Sequence, residues 1–155
     1  MNKPISEVKA NILKIIREPH LSVLSTVTPE GLPWVRYVRA IATDDMTIGI
    51  GSFVGTKKIA HIKNKNEVHM VSGAYELARG QNYIHIQGKA EIITDRDEID
   101  AFWCTQLKDI LFGDPNGPDY CVITVKPYRV EHYKLGSFQP EIWTPEGEAL
   151  KAQGI

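Results

Sequence analysis

Hydrophobic and polar positions along the chain switch repeatedly between a helical and a strand period. Ile5, Val8, Ile12 and Ile15 recur at spacings of three and four, which predicts an amphipathic helix; Pro19 ends it, because the residue before a proline is driven out of the helical region. Residues 21–27, LSVLSTV, are β-branched and alternating, and residues 32–42 form a second such run. Between them Thr28-Pro29-Glu30-Gly31 places proline second and glycine fourth, the chemistry of a type I turn, so the pair reads as a hairpin. After Asp44-Asp45, Met46, Ile48 and Ile50 alternate as a third strand. A glycine-punctuated stretch then leads into a short helix over residues 56–62, with Thr56 at its N-cap, where a hydroxyl can accept a bond from an unpaired amide.

Further strands are predicted at residues 67–71 and 82–94. In the second, Ile84, Ile86, Ala90 and Ile92 share one face, and Tyr83, His85, Gln87 and Lys89 the other. Asp95 and Glu98 bracket a capping box that opens a second main helix, with Ile99, Phe102, Trp103 and Ile110 on its apolar side. FGDPNGPD, residues 112–119, reads as a loop, and YCVITVKP and YRVEHYKL as two more strands. Hairpins predominate over βαβ units, so the expected fold is mainly β: an antiparallel barrel with peripheral helices.

Composition narrows the picture. At 155 residues and 43% apolar content the chain can build one core without disulfides or structural metal. We divide it into a barrel over residues 1–135 and a tail over residues 136–155, whose Phe138, Ile142 and Trp143 are apolar enough to pack on the barrel or on a partner subunit. A formal net charge of -1 argues against a polyanionic partner. The N-terminal segment has no long uncharged apolar block, so neither a signal peptide nor a membrane span is expected. Cys104 and Cys121 are not in a CxxC arrangement, and a reduced, cytoplasmic chain with two free thiols is expected.

Several motifs fail. GSFVGTKK, residues 51–58, lacks the glycine before lysine and the hydroxyl residue after it that a P-loop needs; GIG, residues 49–51, lacks the third glycine of a dinucleotide fingerprint. His20, His61, His69, His85 and His132 have no metal-ligand spacing and read as surface or half-buried residues, so no metal is expected. No serine occupies a GxSxG elbow. What remains is charge. Residues 34–65 carry Arg36, Arg39, Lys57, Lys58, Lys63 and Lys65 against Asp44 and Asp45, a net +4, whereas residues 95–119 are net -5. Thr56-Lys57-Lys58 opens a helix, where amides and the helix dipole both favour an anion. Arg36 lies within a strand, where a guanidinium usually needs an anionic partner. This pattern points to a small phosphorylated ligand rather than a polymer. A nucleic-acid-binding barrel using Tyr37 and Tyr83 as stacking platforms is disfavoured by the net charge and by the lack of aromatics among the lysines.

The succession LSVLSTVTPEGLPWVRYV, GSFVGTKKIAHIKNKNEVHM, YIHIQGKAEIITD resembles the flavin-binding split barrels related to pyridoxamine 5'-phosphate oxidase, nearest their small general-stress-protein-like branch, over about residues 8–135. The resemblance implies a split β-barrel homodimer holding FMN in two grooves at the subunit interface. It places Arg36 near the phosphate, with the backbone of Tyr37 and Val38 along the flavin ring, and Ser52 beside the ribityl-phosphate. Thr56, Lys57 and Lys58 match the family's phosphate clamp. Tyr83 matches a position touching the flavin from the other subunit, and Tyr133 stands where the oxidase has tryptophan. Two departures matter. The family's oxidases hold the substrate phosphate with a tyrosine, arginine and serine group where this chain has DRDEIDAFWC, which is acidic and would repel it. They also end in an arginine-x-histidine motif that this chain lacks. The expected function is an FMN-dependent oxidoreductase on a small molecule other than vitamin B6, the alternative being a non-catalytic flavin binder. No catalytic acid or base is identified; His85 and His132 are named only because imidazole titrates in the useful range.

Overall fold

The computed structural model describes residues 5–73, 82–103, 107 and 114–147. The contributions expected of Ile110 and Cys104, and of the Ile5 and Phe102 side chains, lie outside that description. The chain runs α1 (Ile5–Ile16), β1 (His20–Val27), β2 (Pro33–Ala42), β3 (Ile48–Phe53), α2 (Lys57–Asn64), β4 (Glu67–Ser72), β5 (Tyr83–Ile93), α3 (Arg96–Glu98) continued by a π-helical turn (Ile99–Trp103), β6 (Tyr120–Tyr133) and β7 (Glu141–Trp143). All strand pairs are antiparallel, in the order β3-β2-β1-β4-β5-β6-β7, and β3 also pairs with β6, closing a six-stranded barrel.

Alternation along the strands fills the barrel. Leu24, Ala40, Ile48, Ile50, Met70, Ile84, Ile86 and Val130 are buried in one cluster with Val8, Ile12, Leu13 and Ile16 of α1, where Ile15 is only partly buried. Each fully buried isoleucine contributes ~1.5–3 kcal/mol relative to exposure. Two hairpins share a closing pattern: Gly31 donates to the Thr28 carbonyl and Thr28 to Leu32, while Met46 donates to Thr43 and Thr43 to Thr47. The residue leaving each turn has positive φ, +84° at Gly31 and 72° at Met46, and only the first is the residue type that adopts it freely.

Three expectations are corrected. YCVITVKP and YRVEHYKL form one strand, β6, rather than two. Pro127 removes one ladder donor, and the register jumps there, from Gln87 opposite Arg129 to Gly88 opposite Pro127, leaving Tyr128 as a bulge. Beyond the bulge β6 changes its outer neighbour, from β3 along residues 120–125 to β7 along residues 130–132. The tail residues 141–143 thus extend the sheet, and Trp143 enters the main core. The second main helix opens on Asp95, whose carboxylate accepts the Glu98 amide at 2.8 Å, but it begins as a short α-turn and passes into the π-turn that carries Trp103; Leu107 is again helical, and the residues around it lie outside the description. Third, His61 and His132 are buried.

Candidate phosphate-binding corner

β2 outruns its neighbour. β1 pairs with it from Pro33 to Ala40, but β3 pairs only with Ala40, Ile41 and Ala42. From residue 33 to 39 one edge of β2 therefore has no strand partner among the described residues, and the barrel is split there. Arg36 lies on this stretch, on the same side as the buried Val38 and Ala40. Its Nη1 donates to Thr26 Oγ1 at 2.7 Å and to the carbonyls of Leu24 and Trp34 at 3.3 Å; its Nη2 stands 3.5 Å from His61 Nδ1. The guanidinium is thus held by neutral acceptors and not by a carboxylate, and burial lowers its pKa.

α2 supplies the other cations. Its hydrophobic side, Ile59 and Ile62, enters the main core, which turns its first residues outward. Thr56 is the N-cap residue, but its hydroxyl makes no capping bond. It donates instead to the Phe53 carbonyl at 2.9 Å and lies 3.2 Å from the hydroxyl of buried Ser52. The Ile59 and Ala60 amides bond the Thr56 carbonyl, whereas the Lys57 and Lys58 amides, in the first turn, have no intrahelical acceptor. The Lys57 ammonium sits 4.8 Å from the Trp34 ring centroid, a cation–π contact. Burial and then the charge of Arg36 lower the pKa of Lys58, opposed by Cys121, itself a buried free thiol whose pKa burial raises. Among the described residues no carboxylate forms an ion pair with Arg36, Lys57 or Lys58.

The structure thus brings together Arg36, Ser52, Thr56, Lys57 and Lys58. The other expected positions lie elsewhere. Val38 is a core residue, and Tyr37 points to the opposite, outer face of β2 with 74% of its surface exposed. On that outer face Tyr37, Val23, Val71, His85 and Glu131 stand directly opposite one another in turn, one row across five strands. A groove of about 260 Å³, lined by Leu21, Ser22, Val23, Tyr37, Val71, Ser72 and Gly73, runs along it. At the far end Tyr83 and Tyr133 are cross-strand partners with stacked rings, centroids 5.0 Å apart at 4°. His85 meets both edge-on, and its Nδ1 is 3.2 Å from His69 Nε2. Burial would raise the pKa of Glu131, but the Tyr133 hydroxyl, donating at 2.8 Å, and Arg129 outweigh it and hold the carboxyl below its usual range. Among the residues of these clusters that escaped sequence reasoning are Thr26, Trp34, His61 and His69. His61, one residue from Ile62, could have been singled out as a polar group on the core side of α2.

The corner's three cations, first-turn amides and two hydroxyls suit a phosphate monoester. Among the described residues no group of His, Cys, Asp or Glu could hold a metal, and no helix is long and apolar enough to cross a membrane. The chain is 25% identical over 134 residues to general stress protein 26 of Bacillus subtilis, covering 86% of this chain and 94% of that one. Among solved structures, general stress protein 26 from Bacillus anthracis superposes with a TM-score of 0.71 at 27% identity, covering 89% of this chain and 98% of that one. A pyridoxamine 5'-phosphate oxidase-related, FMN binding protein from Nostoc punctiforme shares the fold at 14% identity and a TM-score of 0.63, over 90% of this chain and 88% of its own. Residues 8–134 match the pyridoxamine 5'-phosphate oxidase family, and with its split barrel the chain belongs to that FMN-binding family.

Proposed function

We propose that this protein is an FMN-dependent oxidoreductase acting on a small molecule, as a homodimer with a flavin in each of two interfacial grooves. The observation that carries this reading is the convergence of Arg36, Lys57 and Lys58 on an open helix start with no carboxylate paired to them among the described residues. A phosphate there would receive the Lys58 ammonium, the α2 amides and the Arg36 guanidinium, offsetting the desolvation that depresses Lys58 and Arg36. The unpaired edge of β2 offers backbone N–H and C=O groups to a planar ring system beside it. When bound, the flavin supplies hydride acceptance and electron transfer; the chain anchors it, orients it and keeps water from its faces.

Two features support the dimer. Leu21, Val35 and Tyr37 are 50%, 60% and 74% exposed on the outer face, a cost that a second copy would remove. Within one chain Arg36 faces inward at β2, whereas Tyr83 and Tyr133 face outward on β5 and β6, neither of which neighbours β2 in the sheet. A flavin touched by both sets needs the tyrosines of another subunit. The substrate is not a phosphate ester on the α3 side, where Asp95, Asp97 and Glu98 are exposed and Arg96 is engaged by Asp100 at 2.8 Å. The same acidic segment favours a second reading, a flavin-binding protein without turnover.

The experiment is a titration with FMN of wild type and of a variant carrying Lys57→Glu and Lys58→Glu. Losing two charge-assisted contacts of ~1.5–3 kcal/mol each, at ~1.4 kcal/mol per decade, weakens binding by roughly 100-fold or more. An unchanged affinity overturns the phosphate site. Anaerobic reduction of the flavin-loaded protein by NADH or NADPH, with recovery in air, separates the enzyme from an inert binder, and elution as a monomer while holding flavin refutes the dimer.

A further inference from the structure

We infer that His61 is the positioning residue of the phosphate corner, fixing Arg36 through the Thr26 hydroxyl and Lys57 through the Trp34 ring. This rests on the reading of that corner as a phosphate site. Thr26 and His61 are both buried, and His61 Nδ1 lies 2.9 Å from Thr26 Oγ1. Hydrogen-bond logic settles the direction. A guanidinium only donates, so Thr26 Oγ1 accepts from Arg36 at 2.7 Å, and His61 Nδ1, which faces Arg36 Nη2, is an acceptor; the Thr26 hydroxyl, 2.9 Å away, therefore donates to it. Arg36 Nη2, at 3.5 Å, points a second donor at that nitrogen. Two donors converging on Nδ1 assign it the lone pair, so the ring is neutral with its proton on Nε2.

In this tautomer the relay Arg36–Thr26–His61 is fully matched, and the guanidinium is held in one orientation without an anion. On its other side the imidazole meets the Trp34 ring edge-on, centroids 6.3 Å apart at 73°, and that ring lies beneath the Lys57 ammonium. One buried side chain therefore connects two cations that approach the corner from different elements, β2 and α2. Preorganisation of this kind adds affinity by removing the ordering cost from the binding step. Its effect falls on the phosphate and not on the ring system of a ligand.

Parallel titrations with FMN and with riboflavin, which lacks the phosphate, isolate that effect. His61→Leu and Thr26→Val are each expected to reduce the FMN-over-riboflavin preference by about tenfold while riboflavin affinity holds, because each removes one link of about one hydrogen bond to a charged group. Combining them adds little further loss, since both cut the same relay. His61→Asn, whose side-chain oxygen can accept from Thr26 as Nδ1 does, restores most of the preference. If His61→Leu does not fold, Thr26→Val carries the comparison. The inference is overturned if the preference survives in the leucine and valine variants, if FMN and riboflavin weaken in parallel, or if asparagine fails to rescue. A wild type that binds both ligands equally overturns the phosphate site itself, a different result from a wild-type preference that the variants retain.

Discussion

Gly49→Ala is expected to destabilise the native chain and to stabilise one lacking the Trp103 ring. An ideal Cβ at Gly49 lies 2.2, 2.4 and 2.8 Å from three ring carbons of Trp103. Ordinary carbon contacts are about 3.5–4.0 Å, so strand or ring must retreat by roughly an ångström or more. Neither has room: Trp103 is 5% exposed and packed with Ile41, Ile99, Leu107, Tyr120 and Val122. Overpacking of this kind costs ~1–3 kcal/mol, and three simultaneous clashes place it near the upper end. Once Trp103→Leu has removed the ring, the obstacle goes, and alanine exceeds glycine in a strand interior by ~0.5–1 kcal/mol. The effect of Gly49→Ala should thus change sign between the two backgrounds. Urea unfolding of flavin-free protein at fixed concentration, followed by far-ultraviolet circular dichroism, measures it as a shift in midpoint at constant slope. An equal loss in both backgrounds would refute the packing argument, because it would mean that the glycine serves the backbone and not the ring.

Two further expectations concern titration. Burial and the Glu67 carboxylate, which accepts its hydroxyl, push the Tyr128 pKa up to about 12, so the stability this provides is full below ~pH 10 and lost as pH rises through about 12; Tyr128→Phe should remove the tyrosinate absorbance step near that pH, and its persistence would contradict the assignment. Burial and then the charge of His85 hold His69 below the ordinary histidine value, so its contribution is full above ~pH 6.5 and lost as pH falls through the lowered folded value. His85→Asn should move the His69 titration upward in a proton NMR experiment, and no movement would show the imidazoles to be uncoupled.

Local chemistry made much of this molecule legible. The Thr28–Gly31 turn, the alternation in β5 and the outward lysines of α2 are set by neighbours in the chain, and they stand where period and turn residues put them. What escaped was decided across the chain. Pro127 reads as a strand terminator, yet it is tolerated because it coincides with a bulge at which β6 exchanges one neighbour for another. In the GIG segment Gly49 and Gly51 are small because Trp103 and the Tyr120 hydroxyl occupy the space above them. The local pattern marks His61 only as a polar group on the core side of α2; Thr26, Trp34 and Arg36 reach it through tertiary packing alone. The corner's cations were visible as charge, whereas the tether that orients them was not.

The open edge of β2 has a second consequence, for solubility. An unpaired strand edge is a template on which another chain can add a strand, and folded proteins blunt such edges with proline and with charges directed inward. Pro33 begins this edge and Arg36 interrupts it. The guanidinium that suits a phosphate thus also discourages runaway strand addition. Variants that neutralise Arg36 combine two liabilities, and a drop in their flavin content has meaning only beside the fraction of protein that stays dispersed.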